Sequence, residues 1–69
     1  MALLNVIRDY RVISRLTQSD LAKLVGVSRQ TIVALEKGDY TPSTLLALRL
    51  SHVFGVTVED LFSIELLED

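Results

Sequence analysis

With 69 residues, 49% of them apolar and 23% charged, the chain has room for one domain with a packed core and little volume for a catalytic pocket. It contains no cysteine and a single histidine, His52, so disulfides, thiolate metal centres and cysteine nucleophiles are excluded; self-association is the remaining way to steady so small a core. The formal charge of −2 hides an asymmetry: residues 1–50 hold all seven basic side chains against four acids, a net +3, while residues 51–69 hold five acids and no Lys or Arg, a net −5. A mildly basic body with an acidic tail is compatible with a polyanion bound at one end.

In chain order, Leu3, Ile7, Tyr10 and Ile13 recur at three-to-four spacing and predict a first helix over 3–14. Thr17 followed by Asp20 forms a capping box for a second helix that runs to Val25 and stops at Gly26. Ser28 is an N-cap for a third helix over 29–36, closed by Gly38. Thr41 before Pro42 predicts a fourth helix over 42–54, ended by Gly55. Thr57 and Asp60 form a second capping box that opens a short helix over 58–62. The tail from Phe62 to Leu66 alternates apolar and polar residues, the period of a strand. The expected fold is therefore all-α, a compact five-helix bundle with a short terminal strand. No apolar run approaches the roughly 20 residues of a membrane span and no leader pattern opens the chain, so a cytoplasmic location is expected.

Residues 18–37 carry the most information. Two helices joined by a turn of three or four residues must cross steeply, which calls for a small residue at the close approach (Ala22) and a left-handed residue in the turn (Gly26). Leu21, Val25, Val27, Ile32 and Leu35 then face inward, while Ser28, Arg29, Gln30 and Thr31 cluster on the outward first turn of the later helix. This combination is a helix-turn-helix pattern.

On these residues the chain resembles the Cro/cI-type helix-turn-helix repressors, especially their small single-domain members. The resemblance spans about residues 4–62. It rests on Ile7-Arg8-Asp9-Tyr10-Arg11, Leu16-Thr17-Gln18, Ala22, Gly26-Val27-Ser28, Ile32, Glu36-Lys37-Gly38, Pro42-Ser43 and Val58-Glu59-Asp60-Leu61-Phe62. Leu45 and Ala34 stand where the family more often has polar residues. The resemblance implies a bundle whose third helix enters the DNA major groove, and a homodimer on a palindromic operator. Arg29 can donate two hydrogen bonds to guanine, and Gln30 can pair in the same way with adenine. The start of the second helix, with Thr17 and Gln18, offers N–H groups to a phosphate, a use the family makes of the matching glutamine. Lys37, Tyr40 and Ser43 flank the later turn, where the family makes further phosphate contacts. The expected DNA-binding set is therefore Gln18, Ser28, Arg29, Gln30, Thr31, Lys37, Tyr40 and Ser43. The resemblance also implies a structural ion pair between Arg11 and Glu36.

Several of these residues have plainer readings. Ser28 serves first as a cap, Tyr40 can pack over its turn, and Arg8, Arg15 and His52 read as surface groups. The expected dimer interface lies in residues 57–69, from Val58, Leu61, Phe62, Ile64, Leu66 and Leu67, extended by Leu45 and Leu48; the tail is expected to pair with residues 1–4 or across the dimer axis. Catalysis, a cofactor, a metal and a small-molecule ligand are not expected. The function read from the sequence is a sequence-specific DNA-binding transcriptional regulator, a repressor by preference. The alternatives are an antitoxin, a restriction–modification controller, or an interaction module that keeps the fold without binding DNA.

Overall fold

The computed structural model describes residues 2–65. Five helices follow a first strand and precede a second: β1 (Ala2–Asn5), α1 (Ile7–Ile13), α2 (Gln18–Val25), α3 (Arg29–Lys37), α4 (Thr44–Phe54), α5 (Val58–Leu61) and β2 (Phe62–Glu65). Every helix contributes to one core. Ile7 comes from α1; Leu21, Ala22 and Val25 from α2; Ile32 and Leu35 from α3; Leu46 and Leu50 from α4; Leu61 from α5. Around it lie half-buried side chains, among them Tyr10 and Phe54, whose rings meet at 5.7 Å and 44°. No described side chain leaves a buried polar atom without a partner.

Local chemistry sets most element ends. In both capping boxes the threonine hydroxyl accepts the N–H three residues on, and the aspartate there accepts the threonine N–H: Thr17 with Asp20 at 3.0 and 2.9 Å, and Thr57 with Asp60 at 3.1 and 3.0 Å. The α2–α3 turn depends on Gly26, at φ +76°, where a Cβ would also lie 3.1 Å from the Arg49 guanidinium. That guanidinium donates to the Val25 carbonyl at 3.3 Å, placing a cation on the C-terminal end of α2.

The structure corrects the first predicted helix. Residues 2–5 are a strand, paired antiparallel with β2 as Ala2↔Glu65, Leu3↔Ile64, Leu4↔Ser63 and Asn5↔Phe62. Of the two pairings open to the tail, it takes the one with the N-terminus. Helix α1 begins only at Ile7, whose N–H is accepted by Asn5 Oδ1 at 3.1 Å. Leu3 matched the helical spacing by coincidence, and Ile13 is 79% exposed because it lies about 240° around the helix from Ile7. The C-terminal end of α1 is a Schellman turn in which Arg15, at φ +59°, takes the position usually held by glycine.

Helix α4 starts at Thr44 rather than 42, because the Ser43 hydroxyl accepts the Leu46 N–H at 3.1 Å and caps it in place of Thr41. Helix α5 ends at Leu61, since Phe62 has already turned to extended backbone.

Candidate nucleic-acid interface

The outward face of α2 and α3 collects most of the expected side chains. Ser28 caps α3: its Oγ accepts the Thr31 N–H at 3.2 Å and lies 3.0 Å from Thr31 Oγ1. One hydroxyl proton of this pair remains for a ligand. Arg29 and Gln30 stand exposed on the first turn, where their own N–H groups have no carbonyl partner within the helix.

Behind that turn runs a continuous set of hydrogen bonds. Arg29 Nη2 donates to Gln18 Oε1 at 3.3 Å, and Gln18 Nε2 donates to Glu36 Oε1 at 3.1 Å. Glu36 in turn accepts from Arg11 Nε at 2.6 Å and Arg11 Nη2 at 3.1 Å, while Arg11 Nη1 donates to the Leu16 carbonyl at 2.9 Å. Only this orientation of the Gln18 amide serves both neighbours; the reverse would aim its NH2 at a guanidinium and its oxygen at a carboxylate. The ion pair anchors the set, with the Arg11 and Glu36 side chains only 13% and 5% exposed. Hydrogen bonding to the Glu36 carboxylate raises the Arg11 pKa further above its ordinary value. Arg11 and Glu36 therefore tie α1 to α3 and leave Gln18 and Arg29 as the outermost members of a fixed array.

The N-terminus of α2 carries the expected capping box, which limits what it can offer an anion. The Thr17 N–H is not free, because the Asp20 carboxylate accepts it; these hydrogen bonds from Thr17 also hold the Asp20 pKa below the usual carboxylate value. Since the Thr17 hydroxyl accepts the Asp20 N–H, only the N–H groups of Gln18 and Ser19 remain in the first turn for an anion. At the other end of α3, Lys37 and Tyr40 are exposed, and Ser43 is committed as the cap of α4 with its own proton still available.

Among the expected interface residues, Leu61 is 1% exposed and belongs to the core, so it cannot contribute to an exposed patch. A one-turn helix has to bury its apolar residue to be held at all. Phe62 is half-buried against the same core, Val58 is also half-buried, and Ile64, Leu45 and Leu48 are exposed. Leu66 and Leu67 lie outside the described residues. Two structurally important polar residues were not picked out from the sequence: Asn5, whose amide donates to the Leu35 carbonyl at 2.9 Å, and Arg49. For Asn5 the sequence signals only the local turn, in which an Asn side chain accepts the N–H two residues on, and not the bond to Leu35.

Among the described residues, no cluster of His, Asp or Glu could hold a metal, and no helix is long and apolar enough to cross a membrane.

The helix-turn-helix family model matches residues 7–61. An uncharacterised HTH-type transcriptional regulator of Methanocaldococcus jannaschii is 54% identical over 61 residues, covering 88% of this chain and 92% of the relative. The phage CTXphi transcriptional repressor RstR of Vibrio cholerae is 37% identical over 57 residues, covering 83% of this chain but only 51% of the repressor. In structure the chain is similar to the clp gene regulator ClgR of Corynebacterium glutamicum, with a TM-score of 0.72 and 30% identity over 78% of this chain and 57% of ClgR.

Proposed function

Because the chain belongs to the Cro/cI-type helix-turn-helix family of DNA-binding transcriptional regulators, we propose that it is a repressor that binds a palindromic operator as a homodimer. The observation that carries the reading is the first turn of α3, where Arg29 and Gln30 stand exposed and Arg29 is steadied by Gln18. Arg29 suits guanine and Gln30 adenine in the major groove. From Arg29 to Lys37 the helix rises about 12 Å, close to the width of that groove, so Lys37 and Tyr40 reach the far phosphate rim while Gln18 serves the near one. Repression is the role that the name of the Vibrio relative gives it, and a protein seated on an operator blocks it by occupancy.

Dimerisation is supported by the terminal ribbon. Leu3 and Ile64 are directly opposed and share the side of the ribbon that carries Asn5 and Phe62, yet they overhang the core and stay exposed. With Leu45 and Leu48 on α4, they offer apolar surface that a second copy would cover. Glu65, at the end of the ribbon, would then lie on the dimer side, away from phosphate. A two-fold dimer places its recognition helices about 34–36 Å apart, one turn of DNA.

Selection of bound fragments from random duplex DNA tests the reading. The expected product is a palindrome whose affinity falls with salt, with a log–log slope of about −0.9 per neutralised phosphate. No enrichment would overturn the reading and favour an interaction module.

A further inference from the structure

Asn5 joins the terminal ribbon to the end of α3 by a side-chain hydrogen bond. It is the last residue of β1, opposite Phe62 in the ribbon. Its Oδ1 accepts the Ile7 N–H at 3.1 Å and starts α1, while its Nδ2 donates to the Leu35 carbonyl at 2.9 Å, near the C-terminal end of α3. The backbone beside it is fixed as well, since the Val6 N–H donates to the Leu61 carbonyl at 3.0 Å. The Leu35 carbonyl also accepts the Gly38 N–H at 3.0 Å, so the Asn5 amide joins the capped end of the helix rather than a free carbonyl. Apolar contacts such as those of Ile7, Ile32 and Leu35 tolerate small rotations, whereas a hydrogen bond fixes direction.

We infer that Asn5 is a positioning residue: its amide ties the far end of the recognition helix to the terminal ribbon, and so sets the tilt at which the two helices of a dimer meet consecutive turns of DNA. The inference rests on the homodimer reading above. It gives Asn5 no contact with DNA and assigns it the spacing of half-sites rather than the identity of bases.

The two bonds of Asn5 can be separated. Asn5→Asp keeps an acceptor for Ile7, with a charge that the N-terminus of α1 favours, but replaces the donor to Leu35 with a carboxylate oxygen that the carbonyl repels, so the bond is not merely lost but opposed. Asn5→Ser keeps a weaker acceptor, is too short to reach Leu35, and adds no charge; it serves if the aspartate variant does not fold. Each is measured on the selected palindrome, on the same palindrome with one base pair added at its centre, and on a single half-site. The inserted pair moves the half-sites by about 3.4 Å and turns them by about 34°.

The wild type is expected to prefer the native spacing by about tenfold or more, within the usual range of coupling between linked sites. The variants should lose most of this preference, to about threefold or less, while half-site affinity stays within about twofold of wild type. Unchanged spacing preference in the variants overturns the inference, as does an equal loss on all three duplexes, which would mark Asn5 as merely structural. A wild type that binds both spacings and the half-site alike would overturn the homodimer reading itself, and the inference with it.

Discussion

At the first turn of α3 the surface is polar and its groups already bond to one another: Arg29 to Gln18, Gln18 to Glu36, Glu36 to Arg11. On the face of the terminal ribbon that carries Leu3 and Ile64 the exposed groups are apolar, directly opposed to each other, and no described residue covers them fully. The difference matters because the two surfaces would gain from partners in different ways. A preordered array of donors gives direction and selectivity against a hydrated polyanion, whereas bare leucine and isoleucine gain only by losing water. One small core holds both, and the groups that fix the polar surface are themselves partly buried.

That contrast is most severely tested at its anchor. Glu36→Ala leaves the Arg11 guanidinium partly buried without its carboxylate and is expected to cost about 3–5 kcal/mol, read by urea or thermal unfolding. Joint replacement as Arg11→Met with Glu36→Leu should recover much of the loss, because the penalty comes from stranding one charge.

The apolar surface is tested next. Ile64→Asp should leave protomer stability nearly intact, since Ile64 is 59% exposed, while weakening self-association by about 1.5–3 kcal/mol for each side chain kept wet. Sedimentation equilibrium separates the two, and a variant that still dimerises tightly would place the interface elsewhere.

Within the polar surface, Arg29→Ala is expected to lose about 1–3 kcal/mol of discrimination at one operator position. Lys37→Ala should weaken all sequences alike and lower the salt slope by about one phosphate. Equal losses on operator and scrambled DNA for Arg29→Ala would remove it from the base-reading set.

Two smaller effects sharpen the picture of what holds these surfaces. Arg15→Gly relieves a left-handed residue at the end of α1 at some entropic cost, for a net gain of up to about 1 kcal/mol in thermal stability. Asp20 has a folded pKa below its ordinary value, so its stabilising contribution is complete above the unfolded carboxylate pKa and is lost as pH falls through the lowered one. Asp20→Asn should therefore flatten that part of the acid limb in a stability–pH series.

The same contrast explains what could be read from sequence. Both capping boxes, the Gly26 turn and the inward set of α2 and α3 were legible because each depends on caps or periodicity within a short stretch of chain. The N-terminal strand was not, because β1 exists only through partners some sixty positions away, and Leu3 happened to fit a helical spacing. Ser43 displaced Thr41 as the cap of α4, a choice between candidates two positions apart that local rules rank too closely to decide. Arg11 and Glu36 lie 25 positions apart and came into view only through the family resemblance. Asn5 and Arg49 had no such guide: their acceptors, Leu35 and Val25, are 30 and 24 positions away and are backbone carbonyls, which carry no sequence signal.

The division between the two surfaces is tested most directly by adding a half-site duplex to isotope-labelled protein and following backbone amide shifts. The expected result is large perturbation at residues 28–31 and at Gln18, with little at residues 62–65. Perturbation concentrated on the ribbon, with the first turn of α3 unmoved, would contradict the assignment of that turn as the DNA-reading surface.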